Sequence, residues 1–273
     1  MIRKTQLTIL LLLVPALAFA HWDEIAPGVD YRHYNEDGLS AHVARVDLTS
    51  DAIRLVSSRP AEKGMRTSDW AKKNKVLVAI NADYFDNQHN PIGLAIGSCV
   101  TWEGTRDTRR EGVVAIGRER AEIRPQSDVL DPVPGWVEQA VSGWPLIVDE
   151  CEAFSSSRLP GSDRFTRSPH PRTAVGISGD GRYLFLVVVD GRKQEGRGVT
   201  LAQLAEFMQD ELGACRALNL DGGGSSTMVI DGEVASNPSG GEEKWVGNHL
   251  GVVLRSDYAG CELTTSSQKV TQR

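Results

Sequence analysis

Residues 183–224 read YLFLVVVDGRKQEGRGVTLAQLAEFMQDELGACRALNLDGGG, and their order decides the fold. Tyr183 to Val189 is a short run of aromatic and β-branched residues, the pattern of a buried strand. Thr200 with Gln203 forms a capping box that starts a helix. Leu201, Leu204, Ala205, Met208 and Leu212 give that helix one apolar stripe, and Gly213 ends it. Arg216 to Leu220 is the next strand. Strand, helix, strand predicts a parallel pair joined by a right-handed crossover. Ligands in such units bind beyond the carboxyl ends of the strands. Asp190 and Asp221 directly follow the two strands and are expected to share a cleft rim.

Working outward, Thr173 to Ile177 joins Tyr183 to Val189 through Gly179-Asp180-Gly181, a hairpin signature. Met228 to Ile230 and Glu233 to Ala235 flank Asp231-Gly232 in the same way. Nearer the start, Ala41 to Leu48 and Ile53 to Val56 read as strands. Thr67 or Ser68 caps a short helix through Trp70 and Lys73, ahead of the apolar strand Val76 to Ile80. Residues 155–171, rich in Ser, Pro, Gly and Arg, predict a long surface loop. The fold class that follows is α+β, a mixed β-sheet with helices and at least one right-handed β-α-β crossover. Residues 21–75 form its N-terminal β-rich part, 76–257 its main body and 258–273 a tail.

The first twenty residues read as a signal peptide: Arg3 and Lys4, then an apolar run from Ile9 to Val14, then Ala18-Phe19-Ala20. That run is too short to span a bilayer, so the mature chain is expected to carry no membrane span and to work in the periplasm or medium after cleavage near Ala20. Arg3 and Lys4 leave with the signal and no acid does, so the formal charge of −6 becomes more negative by two. Such a balance argues against nucleic acid as a partner. An anionic substrate has to be captured by local arginines, not by the overall field. Scattered arginines occur at Arg106, Arg109 and Arg110. Four cysteines, Cys99, Cys151, Cys215 and Cys261, allow three complete pairings. At least one disulfide is expected, with Cys215–Cys261 or Cys99–Cys151 the favoured choices. No spacing suits a zinc site, and no signal sets an oligomeric state.

The segment Asn219 to Met228 carries the chemistry. Gly222, Gly223 and Gly224 leave a ligand unobstructed and permit positive φ. Their N–H groups, with the Ser225 and Ser226 hydroxyls, are expected to form an anion-binding nest. The loop lacks the Gly-Lys-Ser/Thr of a P-loop, and Thr227 breaks a nucleophile elbow, so nucleotide binding and serine esterase chemistry are disfavoured.

Residues 76–254 resemble the phosphodiester glycosidase domain, whose animal member removes N-acetylglucosamine from a phosphate diester. The resemblance rests on Asn81-Ala82-Asp83-Tyr84-Phe85, Ser142-Gly143-Trp144-Pro145-Leu146, Arg172-Thr173-Ala174-Val175-Gly176 and Val188-Val189-Asp190-Gly191-Arg192. It continues through Gly198-Val199-Thr200-Leu201, Asn219 to Met228, Ser236-Asn237-Pro238 and Val246-Gly247-Asn248. It implies Asp221 as the leading catalytic carboxylate, with Asp190 and Asn81 as catalytic partners. Substrate contacts fall to Arg172, Gly222, Gly223, Gly224, Ser225, Ser226, Asp83, Ser142 and Asn248. Arg172 is the phosphate clamp, since a guanidinium grips two oxygens at once; Arg192 is a weaker candidate. Two departures bear on the sugar accepted: Ala82-Asp83 replaces the usual Gly-Gly, and Trp144 replaces a Gly. The expectation is an exported hydrolase that cleaves a sugar from a sugar-1-phosphodiester or a phosphate-containing envelope glycan. The alternative is a non-catalytic binder of anionic polysaccharide on the same fold. No cofactor is called for; a divalent cation on Asp83, Asp86 and Asp190 is the lesser reading. His89, His170 and His249 are lesser candidates as proton carriers.

Overall fold

The computed structural model describes residues 21–36, 38–103, 112–125, 132–192, 196–258 and 260–261. The expected signal peptide, the scattered arginines Arg106, Arg109 and Arg110, and the tail beyond Cys261 lie outside the described residues.

The chain opens with β1 (Asp23–Ala26), β2 (Val29–Glu36), β3 (Leu39–Asp47), β4 (Ile53–Ser57), α1 (Thr67–Asn74) and β5 (Val78–Asn81). Then come β6 (Ile96–Gly97), β7 (Val100–Thr101), β8 (Gly112–Ile116), β9 (Ala121–Arg124), β10 (Gln139–Gly143), β11 (Leu146–Asp149) and β12 (Glu152–Ala153). The remainder is α2 (Asp163–Thr166), β13 (Arg172–Ser178), β14 (Tyr183–Val189), α3 (Leu201–Glu206), β15 (Ala214–Asn219), β16 (Met228–Ile230), β17 (Glu233–Val234) and β18 (His249–Leu254). They build an eight-stranded sheet, β1-β2-β3-β14-β13-β15-β11-β12, and two five-stranded sheets, β7-β6-β10-β8-β9 and β17-β16-β5-β18-β4.

Among the described residues every strand pairing is antiparallel, which corrects the expectation of a mixed sheet. β14 and β15, joined by α3, are not neighbours; β13 lies between them and pairs with both. The hairpin β13–β14 forms locally and takes the place that a direct β14–β15 ladder needed. The N-terminal strands pair into the same sheets, β3 with β14 and β4 with β18.

Alternation along β14 explains the layering. Leu184, Leu186 and Val188 face a core shared by all three sheets, with Ile80, Val141 and Leu250. Phe185, Val187 and Val189 face the other way, against Leu201, Leu204, Ala205 and Met208 of the helical layer. The Thr200 hydroxyl accepts from Gln203 N–H while the Gln203 side chain accepts from Thr200 N–H, the expected capping box. At α1 the expectation fails, because neither Thr67 nor Ser68 is the cap. Glu243, far along the chain, accepts from Ser68 N–H at 3.0 Å and from its hydroxyl at 2.5 Å. A carboxylate there satisfies an orphan donor and suits the positive end of the helix.

Two disulfides form, in a complete pairing that contains neither favoured bond: Cys99–Cys261 and Cys151–Cys215, with Cα separations of 5.5 and 3.6 Å. The reason is strand register. Cys151 lies in the turn after β11, which pairs with β15, and its N–H donates to the Cys215 carbonyl at 3.0 Å.

Candidate functional site

Antiparallel pairing sets the ends of β5, β14 and β15 beside the starts of β13, β16 and β18. The registers show this directly: Arg172 opposes Val189, Ala174 opposes Asn219, Met228 opposes Ile80 and His249 opposes Asn81. Segments scattered over 170 residues of sequence therefore meet at one rim.

Asn81 stitches that rim together. It is fully buried, and its Nδ2 donates to the Asp221 carbonyl at 2.7 Å. Its Oδ1 accepts from the Thr173 hydroxyl at 2.9 Å and from Thr227 N–H at 3.1 Å. That oxygen is taken up, so the expected contact with sugar or phosphate is replaced by a tie between three segments. Asp221 N–H in turn donates to the Ala82 carbonyl at 2.9 Å.

Asp221 is half-buried at the start of the glycine turn. Burial pushes its carboxyl up to about 6, against the Ser225 hydroxyl, the Lys244 charge and Gly222 N–H, which favour the ionised form. Part of the expected nest is taken up by the protein itself. Gly223 N–H donates to the Pro171 carbonyl at 2.8 Å and Ser225 N–H to the Gly222 carbonyl at 3.2 Å. Ser226 Oγ accepts from the Thr173 hydroxyl at 3.2 Å.

What the glycines supply is room for cations. A Cβ on Gly222 would lie 3.9 Å from Arg172 Cδ, one on Gly223 3.5 Å from Arg192 Nη2, and one on Gly224 2.7 Å from Lys244 Nζ. Gly223 and Gly224 thus face the charged groups of Arg192 and Lys244, while a Cβ on Gly222 would meet the Pro171 carbonyl first, at 2.9 Å, with the Arg172 stem behind it. Among the described residues none of the three cations has a carboxylate partner in an ion pair. Arg172 is 2% exposed, and burial lowers its pKa to about 10, which still leaves it charged at neutral pH. Its Nε donates to the Val199 carbonyl at 3.1 Å and its Nη2 to the Phe165 carbonyl at 2.7 Å. One edge of the guanidinium is therefore anchored to backbone, and the Phe165 ring lies 5.2 Å from its carbon. Phe165 stacks on Trp144, with ring centroids 5.3 Å apart. Tyr84 and Asn219 close the wall: the Tyr84 hydroxyl donates to the Trp144 carbonyl, and Asn219 Nδ2 donates to the Tyr84 hydroxyl at 2.8 Å.

Asp83 is buried beneath this rim. Its N–H donates to Asn248 Oδ1, and its Oδ1 accepts from Asn248 Nδ2, both at 2.9 Å. Its Oδ2 meets no hydrogen-bond partner. Burial, with the nearby Asp221 charge, raises its carboxyl well above the usual range, while Asn248 and Ser142 N–H oppose the shift. The Ser142 hydroxyl is turned away from the Asp83 carboxyl and donates to the Leu94 carbonyl at 2.8 Å.

Asp190 is taken up in bonds of its own. Its Oδ2 accepts from the Ser40 hydroxyl at 2.9 Å and faces His42 Nε2 at 3.1 Å, and its Oδ1 accepts from Asn237 N–H at 2.7 Å. Burial pushes its carboxyl up, but these bonds outweigh it and hold it below the ordinary value. The three carboxylates considered for a cation are therefore apart in their bonding. Asp86 accepts from Gln88 and Asn90 N–H within its own turn, both at 2.8 Å. Among the described residues no three His, Cys, Asp or Glu are grouped to hold a metal. His249 is fully buried and stacked on Trp70, its pKa driven down to about 3 by burial. His170 bonds the Arg164 carbonyl, and His89 stacks on Phe85.

Lys244 escaped the sequence reading. It sits in an irregular stretch with no periodicity, and only the docking of that stretch brings it to Gly224. Glu243 caps α1 as described, the Arg66 guanidinium lies 3.6 Å from Glu242, and Val246 N–H donates to the Met65 carbonyl at 3.0 Å.

Residues 74–253 match the model of the phosphodiester glycosidase family, and the chain belongs to that family. It is 35% identical over 141 residues to mouse N-acetylglucosamine-1-phosphodiester alpha-N-acetylglucosaminidase, covering 48% of this chain and 26% of that protein. A second relative, the SPbeta prophage-derived uncharacterized protein YomE of Bacillus subtilis, is 36% identical over 194 residues, 68% of this chain and 29% of that one. The chain thus spans little more than a quarter of the length of these curated relatives. In fold it is similar to the zebrafish N-acetylglucosamine-1-phosphodiester alpha-N-acetylglucosaminidase catalytic domain auto-inhibited by its pro-peptide, with a TM-score of 0.63, 24% identity and 82% of each chain covered. It also matches a hypothetical protein from Synechocystis, with a TM-score of 0.59 at 16% identity, over 83% of this chain and 62% of that one.

Proposed function

We propose that this chain hydrolyses the bond between a sugar and a phosphate in a phosphodiester-linked glycan, outside the cytoplasm. The observation that carries this reading is the grouping of Arg172, Arg192 and Lys244 about Gly222, Gly223 and Gly224, directly beside Asp221. A diester phosphate lying there meets Arg172, Arg192 and Lys244, none of which forms a carboxylate ion pair among the described residues, although the Lys244 charge also bears on Asp221. Water then adds across the sugar–phosphate bond, giving a free sugar and a phosphomonoester. The phosphomonoester is already a stable anion, so the main demand on the protein is charge stabilisation on the departing phosphate. Asp221, held near neutrality by burial, is the group that acts at the sugar, as acid or as the carboxylate facing the anomeric carbon. Asn81 and Asp190 act by positioning: the first ties Asp221 to its neighbours, and the second fixes the 237 segment. The two disulfides fit an oxidising compartment, in line with the signal-like N-terminus.

The mouse relative's name specifies N-acetylglucosamine on a phosphodiester. Here that supports sugar-1-phosphodiesters as the substrate class, while Trp144 sets a different wall for the sugar and Asp83 lies buried beneath the rim. The test is to incubate the purified protein with a panel of sugar-1-phosphodiesters and follow free sugar and phosphomonoester together. Their equal release supports the reading. Folded protein that binds these diesters and turns over none of them leaves the binder of anionic polysaccharide in its place.

A further inference from the structure

Trp245 is 56% exposed, and among the described residues only one other large apolar side chain, Val234 at 37%, approaches it in exposure. A free indole on a surface that buries its other tryptophans more deeply needs a reason. Its neighbour in sequence is Lys244, whose ammonium lies over Gly224. One face of the indole carries the Arg66 guanidinium, 4.7 Å from the ring centre, and Arg66 is held in turn by Glu242 at 3.6 Å. Glu243 and Val246, on either side, are bonded to Ser68 and Met65. The ring is therefore a fixed platform, not a loose side chain. Trp245 directly follows Lys244 in the chain, the exposed cation over Gly224, whereas Arg172 is buried. A flat aromatic face flanked by a guanidinium suits a sugar ring, whose C–H face packs on the indole while its hydroxyls meet the donors.

We propose that Trp245 and Arg66 form a stacking subsite for the glycan on the far side of the phosphate, so that the substrate is a phosphodiester within a sugar chain and not a sugar phosphate esterified to a small alcohol. This rests on the phosphodiesterase reading of the Asp221 rim. Binding there is remote from the reacting bond, and such energy can be drawn on to orient it.

The test compares two diesters of the same sugar, one bearing a methyl group and one bearing an oligosaccharide on the phosphate. The wild type should prefer the oligosaccharide diester, and in Trp245→Ala the ratio of the two kcat/KM values should fall about tenfold. Trp245→Phe should restore most of that ratio. Equal ratios in wild type and Trp245→Ala overturn the proposal. So does a change in sedimentation of Trp245→Ala with kinetics intact, which makes the indole a contact between copies of the chain. Binding of the phosphate-free oligosaccharide, read by calorimetry, separates the two hypotheses. Its loss in Trp245→Ala supports the subsite even if no diester is cleaved, and its absence in a wild type that cleaves both diesters equally removes the subsite alone.

Discussion

The Lys244 ammonium lies over the backbone of Gly224, where a Cβ would stand 2.7 Å from Nζ, and its charge bears on Asp221. The positive charge favours the carboxylate, so removing it makes the proton harder to lose. The wild-type profile of kcat/KM against pH should show a limb near 6, the value to which burial lifts Asp221. Lys244→Gln should move that limb upward by about half to one pH unit. Gly224→Ala should act in the same direction, because its methyl displaces the amine. A limb that stays in place, or moves down, removes Lys244 from the electrostatics of the site.

Asp221→Asn separates catalysis from folding. Turnover should drop by about a hundredfold to ten-thousandfold, the range for loss of a positioned acid or base. Stability should not drop. A carboxyl whose folded pKa lies above its unfolded value loses stability as pH rises through the folded pKa, so at pH 7 the ionised Asp221 is a burden that the amide lifts. Melting temperature at pH 7 and single-turnover rate, measured on the same preparation, check both halves.

For Arg172 the decisive comparison is between substrates. Arg172→Lys keeps the charge but loses the Nε and Nη2 anchors to Val199 and Phe165. Loss of roughly 1.5–3 kcal/mol is expected on a phosphodiester, measured as kcat/KM. A neutral glycoside of the same sugar should lose less. An equal loss on both substrates means that Arg172 does not serve the phosphate.

Asp83→Asn should stabilise the fold near neutral pH. The carboxyl is fully buried with Oδ2 unpartnered, and its pKa is raised, so wild-type stability is fully present below the unfolded value near 4 and falls as pH rises. An amide keeps the acceptor for Asn248 Nδ2 and carries no charge. Denaturant titrations at several pH values should show the two curves converging in acid and separating toward pH 7, with the variant above.

The disulfide pairing is directly checkable by peptide mapping without reduction. Cys151 should be found with Cys215, and Cys99 with Cys261. Replacing both Cys151 and Cys215 by Ser should cost about 2–4 kcal/mol in denaturant unfolding. Recovery of Cys99–Cys151 peptides from native protein contradicts the register of β11 on β15.

Much of this was readable in the sequence wherever local rules govern. The Thr200–Gln203 capping box, the Gly179-Asp180-Gly181 and Asp231-Gly232 turns and the apolar runs around Val187 and Leu218 each carry their own signal, and each forms as read. Partnering between strands was less legible. Nothing in residues 183–220 says that β13 enters between β14 and β15, because the ladder is decided by a hairpin competing with a crossover. The same holds for α1, whose cap is Glu243 from 175 residues away. At the site, Asp221 and the glycines stood out by composition. Asn81 was singled out for its place at a strand end, but its hydrogen-bond capacity, which turns it inward, depends on Thr173 and Thr227. Lys244 gave no signal, since an isolated lysine in a polar stretch looks the same whether it is solvated or docked.

The docking of the 242–246 segment on residues 65–68 has one more consequence. Everything that segment brings to the rim arrives as a single cassette, latched to the head of α1, while Asp221 and its glycines ride on the eight-stranded sheet. Sequence change can therefore rework the cassette, its length, charge or aromatic face, without disturbing the strand ends that hold Asp221. Recognition of the chain beyond the phosphate and cleavage of the bond are free to diverge separately, and a chimera that exchanges only this segment between two such proteins should carry substrate preference with it.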